Sequence, residues 1–234
     1  MKHATPLPPE IGTHDGLSYA LFEPTGEPTG AIVVCHGAGS AKESHFDFCR
    51  AVRASGMCAI AYDMRGHGRS KGILGPELVE DVLTICDLAE QRAPSVGLRG
   101  SSLGGFVAIS AAALAPERIA AVAAICPAPA DFLARGLRAE TLEGFEVDRP
   151  ALAGWLEGRS LVEDVGRLAG QVSLLLLHAE GDESVPYAIS EELFAAAGEP
   201  KRLLLLPGGH HRSLQHDLEI HALSIRFIAR AIEP

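Results

Sequence analysis

Short apolar runs alternate with longer stretches of helical periodicity along almost the whole chain, and few architectures accommodate that order. Short runs with apolar residues at every position are read as strands buried on both faces. Such strands belong to mainly parallel sheets whose crossover helices cover both sides. The buried-strand candidates are residues 30–35, 57–62, 96–99, 119–126, 172–178 and 202–206. Residues 17–22 alternate instead, which predicts a half-exposed strand at the sheet edge. Helices are predicted over 44–54, 77–92, 103–115, 184–197 and 213–231. In the second, Leu78, Val82, Ile85 and Ala89 recur on one stripe, and the third stops before Pro116. The expectation is an α/β fold: a mainly parallel twisted sheet with helices on both faces.

A chain of 234 residues fits one domain, so 1–234 is expected to fold as a unit. Segment 127–170 breaks the alternation, scattering Gly, Pro and charge around Phe132, Phe145 and Trp155. Excursions of that length beside a site act as lids or binding walls, and a small cap insertion is expected there.

Composition narrows the partners. The formal net charge is −10 and no basic run rises above that background, so nucleic acid is not an expected partner. Cys35, Cys49, Cys58, Cys86 and Cys126 mostly sit inside apolar stretches, without CxxC or Cys/His metal spacing. They read as buried free thiols in a reducing compartment, with no structural metal. Residues 1–6 lead into Pro8 and Pro9 without the apolar core of a secretory signal. Apolar runs elsewhere are far shorter than the roughly 20 residues that cross a bilayer. A cytoplasmic protein without a membrane span is expected.

The strongest chemical signal is Gly100-Ser101-Ser102-Leu103-Gly104, a Gly-x-Ser-x-Gly pattern between a predicted strand and a predicted helix. A sharp strand-to-helix turn strains the backbone at its apex, and glycines on either side relieve the crowding. Ser102 is central between Gly100 and Gly104 and is the candidate nucleophile; Ser101 is assigned to packing. A neutral hydroxyl attacks poorly, so a base and a group that orients the base are required. Asp182 follows the strand ending at His178, at the carboxyl end where α/β sheets place their sites. Its plainer role is a cap for the next helix, and Asp131 is the rival acid. Past the last predicted strand, Pro207-Gly208-Gly209-His210-His211 offers two adjacent imidazoles, one of which is the base. His216 and His221 fall in a predicted helix and read as surface or packing residues. Metal binding by the His210 and His211 pair is disfavoured because adjacent side chains diverge. Acyl transfer also needs two backbone donors for the oxyanion. Leu103 N–H is one, and Ala38, in His36-Gly37-Ala38-Gly39-Ser40, is nominated as the second. His36 reads as structural, bonding to loop backbone.

Together these residues resemble the α/β-hydrolase superfamily, from about Gly30 to the C-terminus. Residues 35–39 are similar to its oxyanion loop, and 62–70, holding Asp63-Met64-Arg65-Gly66-His67-Gly68-Arg69-Ser70, to its Asp-x-Arg-Gly-x-Gly-x-Ser segment. The acid loop with Gly181-Asp182 and Val185-Pro186, the histidine loop and the order Ser, Asp, His also match. A proline four positions before the histidine favours His211, while Ala179 stands where relatives often carry glycine. The closest resemblance is to the branch of monoacylglycerol lipases, short-chain carboxylesterases and serine aminopeptidase-like hydrolases. That resemblance implies cofactor-free hydrolysis of a small-molecule ester through Ser102, His211 and Asp182. The same residues serve amide, peptide and thioester hydrolysis, and a non-catalytic ligand-binding member of the fold is the alternative from another class.

Overall fold

A computed structural model describes residues 7–232; the N-terminal reading of residues 1–6 lies outside the described residues. Eight strands form one sheet: β1 (Glu10–His14), β2 (Leu17–Phe22), β3 (Ala31–Cys35), β4 (Cys58–Tyr62), β5 (Val96–Ser101), β6 (Ile119–Ile125), β7 (Ser173–Ala179) and β8 (Lys201–Leu206). Their spatial order is β1-β2-β4-β3-β5-β6-β7-β8. The first two pairings are antiparallel and the remaining ones parallel. The helices are α1 (Phe46–Ala54), α2 (Leu78–Glu90), α3 (Leu103–Leu114), α4 (Ala130–Arg138), α5 (Arg149–Leu156), α6 (Leu161–Arg167), α7 (Ala188–Ala196) and α8 (Leu218–Ile232). Among the described residues no helix is long and apolar enough to cross a membrane.

The sheet separates two apolar layers. Side chains of α1 and α8 pack on one face with Ile32, Val34, Ala123 and Leu175, while α2, α3 and α6 cover the other with Val33, Leu98, Val122 and Leu176. Residues pointing to opposite faces alternate along each strand, so a strand buried on both sides must be apolar throughout. Helix α3 is buried at every position from Leu103 to Ala113, as a helix enclosed by the sheet and by α2 and α6 must be.

One expectation is corrected. Residues 17–22 are not the edge: all six are buried, because β1 pairs outside them. Asp15 (φ 48°) and Gly16 (φ 83°) form the two-residue turn that joins β1 to β2, with the left-handed conformations a tight hairpin needs. Gly12 lies opposite Tyr19 in register, and a Cβ there would strike the Tyr19 ring. Helices α7 and α8 also start later than expected. Asp182 captures the backbone N–H groups of Ser184 and Val185 in a turn, and Asp217 caps the N–H groups of Glu219 and Ile220.

Topology places the site. The chain passes from β3 to β4 on one side and returns to β5 on the other, so the loops after β3 and β5 diverge and leave a crevice at their carboxyl ends. The loop after β3 is anchored by a buried ion pair. Lys42 Nζ lies 2.6 Å from Asp63 Oδ2 at the end of β4, with side-chain exposures of 1% and 0%. Asp63 also accepts the backbone N–H groups of Lys42 and Arg69, both at 2.9 Å. Lys42→Met leaves the carboxylate without its cation and is expected to cost about 3–5 kcal/mol in urea unfolding. Lys42→Met with Asp63→Leu should recover part of that loss, because the unpaired charge is then gone.

Candidate active site

Strand β5 runs into α3 through Ser102, whose φ of 55° and ψ of −118° place a non-glycine residue in a strained region. The flanking glycines are steric necessities. A Cβ at Gly100 would strike the Gly104 carbonyl, and one at Gly104 would strike the Cys35 carbonyl at the end of β3. The elbow is tied to its neighbours: Ser102 N–H donates to Ile125 O at 2.9 Å, and Ser102 O accepts from Phe106 and Ala128 at 3.1 and 3.2 Å.

The loop leaving β3 crosses over this elbow. A Cβ built at Gly37 would lie 3.6 Å from Ser102 Cβ. Ser40 N–H closes a turn on Gly37 O at 3.2 Å, and Gly39 takes φ 67°. Among the described residues neither Ala38 N–H nor Leu103 N–H has a protein acceptor, the latter because it belongs to the first turn of α3.

The acid and the histidine come from loops that touch. Gly181 N–H donates to Gly208 O at 2.9 Å, and a Cβ at Gly181 would lie 2.5 Å from Gly209 O. Gly208 and Gly209, at φ 69° and 78°, turn the chain after β8 back toward Asp182. The Asp182 side chain is fully buried, and His211 Nδ1–H donates to its Oδ2 at 2.7 Å. That bond leaves Nε2 as the lone-pair nitrogen of His211. Asp182 Oδ1 takes Ser184 N–H at 2.9 Å and Val185 N–H at 2.8 Å, so one carboxylate shapes its own loop and holds the imidazole. Burial acts to raise the Asp182 pKa, but the hydrogen bonds from His178, His211, Val185 and Ser184 outweigh it and hold the carboxyl far below its ordinary range.

Other candidates lie elsewhere. His210 is exposed and is occupied locally: its N–H donates to Ser213 Oγ at 3.1 Å and its Nδ1 accepts from Arg212 N at 3.3 Å. Asp131 is 65% exposed on α4, 2.5 Å from Arg135. Ser101 Oγ donates to Gln215 Oε1 at 2.8 Å, beneath the elbow. His36 donates from Nδ1 to Gly37 O at 2.8 Å and accepts Met64 N–H at Nε2 at 3.0 Å. Ser102 and His211 line the same open cleft of about 1370 Å³, together with Gly37 and Ala38. Among the described residues no hydrogen bond joins the Ser102 hydroxyl to His211.

Three supporting residues escape the sequence reading. His178, at the end of β7, donates from Nε2 to Val185 O at 2.9 Å, lies 3.4 Å from Asp182 Oδ2, and accepts from Ser190 Oγ at 2.7 Å. Its signal was available, since an imidazole closing a run of four leucines requires polar partners. Gln215 carried no such signal. Cys126, at the end of β6 with φ 44°, is the third. Donor atoms of Cys126, Asp182 and His211 lie within 4.8 Å of one another, the spacing of a possible ion site. The chemistry does not suit one: burial drives the thiol pKa far up, keeping it protonated, and the carboxylate is already bonded to His211.

A family model described as serine aminopeptidase, S33, matches residues 26–140. Human monoglyceride lipase is 33% identical over 128 residues, 51% of this chain and 42% of its own length. A monoacylglycerol lipase of Mycolicibacterium smegmatis is 25% identical over 240 residues, covering 83% of this chain and 85% of its own. Among solved structures, the monoacylglycerol lipase of Paleococcus ferrophilus superposes with a TM-score of 0.74 at 21% identity, over 92% of this chain and 99% of its own. Est1E of Butyrivibrio proteoclasticus with ferulic acid bound gives 0.79 at 20% identity, over 96% and 100%. The chain has the α/β-hydrolase fold, and over residues 26–140 it is similar to the serine aminopeptidase, S33, family. Among the proteins it is similar to are lipases of monoacylglycerols.

The depressed Asp182 carboxyl has a consequence for stability. A carboxyl with a lowered folded pKa stabilises the fold above its unfolded value of about 4, and that contribution is lost as pH falls below it. Denaturant unfolding from pH 6 down to pH 2 should therefore show a steeper loss for the wild type than for Asp182→Asn. Parallel curves would mean that Asp182 is not held as described.

Proposed function

We propose that the chain is a serine esterase that cleaves carboxylic esters of small to medium acyl groups. The observation carrying this reading is the 2.7 Å bond from His211 to buried Asp182, beside a cleft that Ser102 also lines. In the reaction, His211 Nε2 takes the Ser102 proton as the hydroxyl oxygen attacks the ester carbonyl. The negative charge that develops on the carbonyl oxygen is met by the N–H groups of Ala38 and Leu103. His211 returns the proton to the leaving alcohol, an acyl-enzyme remains, and water deprotonated by His211 releases the acid. The anionic Asp182 fixes the proton on Nδ1 and stabilises the imidazolium that forms. No step calls on a cofactor or a metal.

The acyl preference rests on the wall between cleft and core. Leu142 borders the open cleft and also a small, wholly apolar pocket formed with Leu103, Leu133, Leu137, Phe145 and Leu156. The segment between β6 and β7 supplies most of that wall, so we assign 127–170 the role of a cap. The relatives, lipases of monoacylglycerols, accord with an ester substrate. The free, buried cysteines accord with a reducing, cytoplasmic setting.

Ser102→Ala is expected to lower turnover of a short p-nitrophenyl ester by about 10⁵-fold, and Ser101→Ala by less than about tenfold. A fluorophosphonate should label the wild type and leave folded Ser102→Ala unlabelled. Matched amides and thioesters in the same assay test the ester preference, and a folded wild type that takes no label would instead indicate a ligand-binding protein.

A further inference from the structure

The segment that follows β4 holds an imidazole for which the proposed chemistry has no use. We propose that His67 is a positioning residue: it fixes the peptide beyond Ala38 and couples the cap to the oxyanion loop. This rests on the serine-hydrolase reading for its kinetic consequence, though its geometry stands without it.

His67 is 3% exposed. The Arg65 carbonyl, 3.1 Å from Nδ1, can only accept, so Nδ1 carries the proton and Nε2 presents a lone pair. That lone pair accepts Gly39 N–H at 3.1 Å. Gly39 follows the proposed donor Ala38, so this bond fixes the peptide on its C-terminal side. The N-terminal side is fixed by His36, whose Nδ1–H holds the Gly37 carbonyl. Carbonyl and N–H of one planar peptide point in opposite directions, so the grip on Gly37 O also sets where Ala38 N–H aims. The two rings meet edge to face at 4.8 Å. Both arrangements require neutral imidazoles with Nδ1 protonated. Burial holds His36 at about 4 and lowers His67 from its ordinary value.

The other face of His67 belongs to the cap. Phe145 stacks on it with centroids 4.4 Å apart and planes 13° from parallel. Glu146 N–H donates to Gly66 O and Leu74 N–H to Glu146 O, each at 2.9 Å, so the cap segment is laced to the loop that carries His67. Gly39 is itself pressed against the cap, since a Cβ there would lie 2.7 Å from Glu143 O. Phe145 also borders the small apolar pocket. A substrate that displaces Phe145 therefore acts on His67, and through Gly39 on the orientation of the oxyanion donor.

Two variants separate this role from simple packing. His67→Phe keeps a ring against Phe145 and removes the acceptor; His67→Gln restores an acceptor at similar reach without the ring. Losing one oxyanion donor costs roughly 10²–10³ in kcat, and a misaimed donor somewhat less. His67→Phe is expected to lower kcat at least about tenfold with KM within about twofold. It should weaken a trifluoromethyl ketone inhibitor by the same factor, while His67→Gln stays within about threefold of wild type. Independently of activity, the Gly39 amide should lose hydrogen-exchange protection in His67→Phe and keep it in His67→Gln. Unchanged kcat in His67→Phe, a change confined to KM, equal damage in both variants, or undiminished Gly39 protection would overturn the proposal. A folded wild type that neither turns over esters nor takes fluorophosphonate would defeat the hydrolase reading instead, and Gly39 exchange alone would then decide the role of His67.

Discussion

Helix α3 meets the ends of β3 and β5 so closely that neither Gly100 nor Gly104 has room for a Cβ. The approach is a steric fact with chemical consequences. It lifts Ser102 to the apex of the turn, and it brings the first turn of α3, with its unpaired N–H groups, beside the loop leaving β3. Had the helix stood further off, its first turn would not lie beside the loop leaving β3, and the proposed donors Leu103 and Ala38 could not serve one oxygen. Glycine is required here by the neighbouring backbone, since the obstacles are carbonyl groups and not flexible side chains.

The polar groups around this junction are organised by a single rule. A buried imidazole bonded to a carbonyl must place its proton there, which leaves the other nitrogen as an acceptor. His36, His67 and His178 all obey it, with carbonyls of Gly37, Arg65 and Val185. Their lone-pair nitrogens then hold Met64 N–H, Gly39 N–H and the Ser190 hydroxyl. His211 differs in one respect: its Nδ1 partner is a carboxylate, and among the described residues its Nε2 makes no hydrogen bond. The same residue type thus serves as scaffold where the partner is neutral backbone and as candidate base where the partner is charged.

Much of this was legible from residues alone, and the failures have physical reasons. Parallel strands such as β6 and β7 announce themselves because burial on both faces demands unbroken apolar runs, and the Gly-x-Ser-x-Gly element because steric demand and chemistry coincide in five positions. Strand β1 escaped because Glu10, Ile11 and Thr13 are all exposed and Gly12 breaks the pattern, although Asp15-Gly16 is a strong hairpin signal. The edge assignment of β2 followed from that omission. The resemblance favoured His211 over His210 through the spacing to Pro207, and the positive φ angles of Gly208 and Gly209 turn the loop that brings the His211 ring to Asp182. The contact of His67 with Gly39 joins residues 28 apart, so no local pattern reports it.

Strain at the site is held by the sheet rather than by the loops. Ser102 and Cys126 both adopt positive φ, and they follow adjacent strands, β5 and β6. Each of these costs of order 1–3 kcal/mol and persists only where the surroundings leave no alternative. The surroundings here are ladder hydrogen bonds continued past the strand ends: Ser102 N–H reaches Ile125 O, and Cys126 N–H reaches Leu177 O at 2.8 Å on β7. The ladder therefore carries the register of the core out to Ser102 and Cys126. A substitution deep in β6 or β7 that shifts this register would disturb Ser102 and Cys126 together, because the same row of bonds positions both.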